Sequence, residues 1–298
     1  AMSSDDVART AWAFASAGHA DRTTPALFSA LADAMWIRRS ECTVHALADF
    51  AWGSAYLNHR DPRLFDAIAA ATAPRVHEMQ PHALARLAWA FASADHPAPT
   101  LFGPAFVAAC DASARAVTAA APPSEPPSAI PSELPYGVLS EEAHCQWHAW
   151  QLWVCEGSSA SAHPLALSAD LSARCRDAFE AAEAAAAAAL PSTVQHELAS
   201  ALNSLPGCQV LAEGVVTASG YQLTHTVRWD VPNVPVAEIA VEIARPSDHA
   251  GVQPTGATRL RLRQLRRLDG WLVLSVPPWE WEALGGDTER QRSFLEKQ

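Results

Sequence analysis

Apolar residues recur with helical spacing along the first part of the chain, and that pattern itself repeats. Ala11-Trp12-Ala13-Phe14-Ala15-Ser16-Ala17 returns as Ala88-Trp89-Ala90-Phe91-Ala92-Ser93-Ala94. Between them, Phe50-Ala51-Trp52-Gly53-Ser54-Ala55 carries the same pattern with its two aromatics exchanged, which gives spacings of 38 and 39 residues. A second beat, Leu27-Phe28, Leu64-Phe65 and Leu101-Phe102, recurs every 37 residues. Two apolar beats per unit of this size predict an α-solenoid, in which each helical hairpin buries its faces against its neighbours. In the third copy Leu84, Leu87, Ala88 and Phe91 fall at i, i+3, i+4 and i+7, one stripe of a helix, while Trp89 points nearly the other way. A helix apolar on two faces is sandwiched between its hairpin partner and the adjacent repeat. Pro81 suits its start, and Pro97 and Pro99 lie beyond its end.

The period then changes. Ala119 to Pro135 is a Pro-rich stretch with the composition of an extended linker. Ser140-Glu141-Glu142 opens a helix to about Glu156, with Trp147, Trp150 and Trp153 three apart and Cys145, Ala149 and Leu152 adding to its apolar face. A further helix spans Ser168 to Leu190, and Ser192 with Gln195 three residues on predicts a capping box. From Gly207 the alternation is that of strands: 209–212, 221–227, 238–243 and 271–276, with a helix over 258–268 between the last two. The expected organisation is a repeat domain of three units over 1–118, a linker over 119–139, a helical connector over 140–190, and an α/β module with a mixed sheet over 191–298.

Composition narrows the function classes. The chain is Ala-rich with 49% hydrophobic residues, enough to bury a core in two domains, and no apolar run is long enough to span a membrane. Six cysteines without C-x-x-C spacing fit buried thiols in a reducing or matrix-like compartment. The N-terminal Ala1-Met2-Ser3-Ser4-Asp5-Asp6 lacks the character of a transit or signal peptide, as expected of a cytosolic protein or a mature form. The net charge of −11 is unevenly spread. Residues 1–118 hold 9 basic and 11 acidic groups, 119–190 hold 2 and 9, and 191–298 hold 10 and 12. Within the last module Arg259, Arg261, Arg263, Arg266 and Arg267 fall in nine residues without an acid.

The C-terminal module resembles a RAP domain, the unit that ends FAST-kinase-like and octotricopeptide-repeat (OPR) proteins of mitochondria and chloroplasts. The resemblance rests on the order of Ser192 through Leu202, Tyr221-Gln222-Leu223, Ile239-Ala240-Val241-Glu242-Ile243, Pro246-Ser247-Asp248-His249, Thr255-Gly256-Ala257-Thr258, Leu265, Gly270-Trp271 and Val276-Pro277-Pro278-Trp279-Glu280-Trp281. The repeats ahead of it are similar to OPR units. The resemblance implies a restriction-endonuclease-like α/β fold, in which acidic groups hold a metal for phosphodiester hydrolysis. This chain departs from that pattern. Thr224 stands where the family carries Asp, the family's Glu-Val-Asp-Gly-Pro becomes Glu242-Ile243-Ala244-Arg245-Pro246, and the only lysine is Lys297. Thr224, Glu242 and Ala244 are thus positions of a degenerate nuclease site, with Asp230 an alternative carboxylate from the strand end.

Candidate chemistry is therefore that of binding. Leu262, Leu265 and Leu268 share one side of the 258–268 helix, and Arg259, Arg263, Arg266 and Arg267 cluster on the other, while Arg261 falls toward the apolar side, where it snorkels or pairs with a carboxylate. Arginine suits phosphates because its planar fork donates two hydrogen bonds and stays charged; the same stripe also fits a solvated helix face. Trp279 and Trp281, after Pro277-Pro278, offer a stacking surface to unpaired bases or close the domain core. Arg9 and Arg86 occupy equivalent repeat positions, with Leu47 between them in the middle copy. His144 and His148, four apart, suggest no complete metal site, and no cofactor is expected.

These residues imply a non-catalytic organellar RNA-binding protein. Three repeats contact about three bases if each reads one, too few to select a transcript alone. The expected setting is a larger particle, a mitochondrial ribosome in which the protein holds rRNA and neighbouring proteins in the matrix, with the plastid as the alternative. Three other readings stay open: a free RNA processing or stability factor; a protein-only assembly subunit docking through the acidic 119–190 segment and its Trp147, Trp150 and Trp153 face; and a Mg²⁺-dependent nuclease that needs Glu242.

Overall fold

The computed structural model describes residues 3–39, 41–119, 140–157, 165–230, 237–244, 248–251 and 253–297. The linker over 119–139 therefore lies almost wholly outside the described residues, as do Arg245, Pro246 and Ser247 of the family-like series. Among the described residues the protein is mostly helical, with a small mixed sheet toward the C-terminal side. It divides into two compact units, Ala1–Ala178 and Phe179–Gln298, and the division falls inside the segment expected to be a connector.

The first unit is built from α1 (Ser4–Ser16), α2 (Thr24–Arg38), α3 (Val44–Tyr56), α4 (Pro62–Thr72), a 3₁₀ turn (Ala73–Glu78), α5 (Pro81–Ala94), α6 (Pro104–Ala119), α7 (Glu141–Glu156) and the first half of α8 (Ala169–Ala188). The hairpin-leading helices pack in a row: α1 on α3, α3 on α5, and α5 on α7. Three of their starts are capped by a hydroxyl that accepts a backbone N–H three residues on, from Ser3 to Asp6, Thr43 to Ala46 and Ser140 to Ala143.

Their ends share a second device that corrects the repeat register. Gly18, Asn58 and Asp95 all take left-handed backbone angles, and the following His19, His59 and His96 each return an N–H, to the carbonyls of Phe14, Ser54 and Phe91. The N-cap positions Ser3, Thr43 and Gln80 show the same offsets as this turn, 40 and then 37, rather than 38 and 39. Trp12, Trp52 and Trp89 are therefore equivalent and not exchanged, and Asp49, not Leu47, stands between Arg9 and Arg86. The sequence match failed because Phe50, which stands at the Thr10 and Leu87 position, imitates the aromatic beat.

The helix rich in tryptophan is core. Trp147 and Trp150 are fully buried, Trp150 against Phe102 and Phe106, and the indole N–H of Trp153 donates to Asp95 at 2.9 Å. Trp147 and Trp150 thus offer no docking face.

Close approach within the row depends on Gly53. A Cβ there would lie 2.9 Å from the carbonyl oxygen and 3.0 Å from the carbonyl carbon of Ala11, backbone atoms of a neighbouring helix. Gly53→Ala is expected to destabilise the chain by up to about 2 kcal/mol, because the overpacking penalty of about 1–3 kcal/mol is offset by a helix-propensity gain of about 1 kcal/mol. Urea denaturation checks this; a variant as stable as the parent means that α1 and α3 can part without cost.

The second unit holds the rest of α8, α9 (Ser192–Ser204), β1 (Cys208–Val216), β2 (Gln222–Trp229), β3 (Ala237–Ile243), the short β4 (His249–Ala250) and β5 (Gln253–Pro254), α10 (Gly256–Arg267), β6 (Leu272–Val276), α11 (Pro278–Glu282) and α12 (Thr288–Leu295). The sheet order is β1-β2-β3-β6, antiparallel except for the parallel β3–β6 pair, which α10 connects. Side chains alternate across it: Val227, Val241, Ile243 and Val276 join Leu198, Leu202, Trp281 and Leu295 in one core, while Glu242 faces the other way.

The expected capping box at Ser192 does not form. Pro191 is the N-cap and Ser192 is already helical. The Gln195 amide instead donates to the carbonyls of Ala187 and Leu190, at 3.5 and 3.3 Å, at the end of α8.

Candidate nucleic-acid interface

Helix α10 starts cleanly. Thr255 accepts the Thr258 N–H at 3.3 Å, and the Asp248 carbonyl accepts both the Thr255 N–H at 2.8 Å and the Thr258 hydroxyl at 2.5 Å. Its inner side is set by Leu260, Gln264 and Leu265, all buried, with Leu262 and Leu268 only half-buried. Gln264 accepts the Tyr221 hydroxyl at 2.7 Å. The opposite side carries Arg259, Arg266 and Arg267, exposed, and Arg263, half-buried. Fixed on a capped helix against the sheet, this side exposes Arg259 and Arg266 to solvent.

Arg261 belongs to the other side and does different work. Its Nη1 pairs with Glu183 of α8, and its Nη2 donates to Glu242 at 2.9 Å and to the Gln222 carbonyl at 2.6 Å. Its guanidinium carbon lies 4.9 Å from the centre of the Tyr221 ring. Both carboxylates are nearly buried and each also accepts a backbone N–H, Glu183 from Gln222 and Glu242 from Thr224. Burial pushes the Glu242 carboxyl up from its ordinary range, while Arg261 and the Thr224 N–H pull it down. Burial works equally against the charge on Arg261, and the two carboxylates overcome it, so the guanidinium is held protonated above its usual range.

The degenerate nuclease positions lie on β2 and at the end of β3. Thr224 meets Glu242 through its backbone N–H, at 3.0 Å. Ala244 is buried, with its N–H on the Val276 carbonyl. Asp230 follows the far end of β2, six residues from Thr224 and so roughly 20 Å along the strand, and supplies no carboxylate here. Among the described residues no group of three His, Cys, Asp or Glu side chains could hold a metal ion. His144 instead turns its ring to the Ser140 carbonyl, at 3.1 Å.

Trp279 is half-buried and meets His249 edge-on at 4.6 Å, whereas Trp281 is the tryptophan that joins the core. In the first unit Arg9 is exposed and loosely paired with Asp6 at 3.4 Å, and Arg86 is held by Asp49 at 2.5 Å. Gln146, at the same position of α7, donates to Glu142. Asp49, Arg86 and Gln146 of this row are thus engaged within the unit.

The sequence reading singled out neither Trp36 nor Ile37, which are 45% and 75% exposed at the end of α2, with the Arg39 guanidinium 4.4 Å above the Trp36 ring. Their signal was the run Trp36-Ile37-Arg38-Arg39 at a helix end, hidden in an otherwise apolar helix.

No family model matches the chain, and no curated protein matches it. No helix among the described residues is long and apolar enough to cross a membrane.

Proposed function

We propose that this chain is a non-catalytic organellar RNA-binding protein, a structural rRNA-binding component of a mitochondrial ribosome, built as an OPR-like α-solenoid followed by a degenerate RAP-like domain of restriction-endonuclease-like fold. The observation that carries the reading is the exposed arginine side of α10, set on a rigid capped helix in a protein whose net charge is −11. The row of leading helices supports the solenoid. Arg261, seated on Glu242, supports a binding role over a hydrolytic one, since it already neutralises the carboxylate that a metal would need.

Crosslinking of the native protein in organelle lysate, with sequencing of bound RNA across a sucrose gradient, tests this. Discrete rRNA positions in ribosomal fractions support it; precursor or messenger RNA in light fractions favours a processing factor, and no crosslinked RNA removes the reading. With purified full-length protein, the double variant Arg259→Ala/Arg266→Ala is expected to lower the slope of log affinity against log salt by about two, one per lost phosphate contact. Its stability should stay within about 0.5 kcal/mol per site, because both side chains are exposed.

A further inference from the structure

Trp36 and Ile37 are the two most exposed large apolar residues of the first unit's α2, and a cation is fixed beside them. The Arg39 Nη1 donates to the Trp36 carbonyl at 2.7 Å, which seats the guanidinium carbon 4.4 Å over the indole. The cation lies over one ring face, and the residue remains 45% exposed. Arg38 is the last residue of α2 and Arg39 its C-cap, so both guanidinium groups leave the chain at the same helix end. A flat aromatic surface beside guanidinium donors matches one chemistry well: an unpaired base stacks on the ring while its phosphate takes the arginine fork. A base already paired in a duplex has no free face to offer. Asp33, one turn earlier, and Glu41, just beyond, keep the cationic patch small, enough for a single nucleotide.

We infer that Trp36, with Arg39, is a stacking site for one unpaired nucleobase of a single-stranded RNA. This rests on the RNA-binding reading above but lies on a different unit from the α10 stripe, so the two can be separated. The test measures binding of a short fluorescein-labelled single-stranded RNA of mixed sequence, and of the same sequence as a duplex, by fluorescence anisotropy with full-length protein. Trp36→Ala is expected to weaken single-strand binding about tenfold, the loss of one stacked base, with duplex binding unchanged. Arg39→Ala should reduce the salt slope by about 0.7, one phosphate on a single strand. If the parent binds single strands and Trp36→Ala binds them equally well, the stacking site is wrong while the RNA reading stands. If the parent binds neither form, both fall. If Trp36→Ala instead turns a self-associating protein into a monomer without altering RNA affinity, the patch is a contact between copies and the inference is overturned.

Discussion

Arg261→Ala is expected to destabilise the protein by about 3–5 kcal/mol, the cost of removing one partner from a buried ionic network. The truncation deletes the guanidinium that bridges Glu183 and Glu242 and leaves two nearly buried carboxylates facing each other, with the Gln222 carbonyl also losing a donor. Neighbouring arginines give the contrast: Arg259→Ala and Arg266→Ala, on the exposed side of the same helix, should each shift stability by no more than about 0.5 kcal/mol. The pH dependence identifies the mechanism. Burial already raises the Glu242 carboxyl, and losing Arg261 raises it further, so the folded variant holds a costly anion at neutral pH. A group whose folded pKa is raised favours the fold below its unfolded pKa and loses that contribution as pH rises through the folded one. The deficit of Arg261→Ala should therefore shrink on acidification through the carboxylate range, while a loss of packing alone would not change. Urea denaturation at neutral and acidic pH distinguishes them, and a deficit independent of pH would mean that the ion network contributes little.

Part of this site was legible in the chain. The spacing of Leu262, Leu265 and Leu268 against Arg259, Arg263, Arg266 and Arg267 divides α10 into two sides because a helix turns through a fixed angle per residue, although the side that buries is that of Leu260, Gln264 and Leu265. The same arithmetic sends Arg261 toward the apolar side, where it either snorkels or pairs with a carboxylate, and the structure shows the pairing. What no local pattern reveals is that the partners are Glu183, on a helix 78 residues earlier, and Glu242, on a strand 19 residues earlier. Those pairings exist only once β2 and β3 are in register and α8 lies against them. Glu242 was singled out for a lost metal site, and its position on the strand was right. Its chemistry depends on the guanidinium that the folded chain brings to it.

Three of the leading helices were legible as a repeat, but in the wrong register, and α7, which continues the row, was read as part of a connector. Apolar periodicity locates α1, α3 and α5, since each must bury two faces, and hydroxyl caps at Ser3 and Thr43 mark two of the starts. Periodicity is nearly silent on a shift of one or two residues when most positions are alanine, because a small side chain fits either face. The shared turn that fixes the register uses three different residues, Gly18, Asn58 and Asp95, with one backbone conformation. Only the histidine after it is constant, and its role as an N–H donor to the preceding helix belongs to the backbone and leaves no side-chain requirement in the sequence.

Once that register is set, Phe91 becomes the residue on which the first unit most depends. It is fully buried on α5, meets Phe65 of α4 edge-on at 5.0 Å and Phe102 at 5.3 Å, and lies 5.9 Å from the ring of His96 in the turn that ends its own helix. Phe102 in turn contacts Trp150 of α7, so this aromatic chain runs from α4 through α5 to α7. Phe91→Ala is expected to cost about 3–5 kcal/mol, since the cavity opens between rings that cannot collapse onto it without moving separate helices. The equivalent positions make the comparison: Ser54 in α3 is also fully buried and Phe14 in α1 is half-buried, so the same aromatic is core in one copy and marginal in another. Phe14→Ala should then cost well under half as much. Hydrogen exchange of the α5 and α7 amides, measured alongside urea denaturation, should show protection falling in both helices for Phe91→Ala. Loss confined to α5 would show that the aromatic chain does not couple the two.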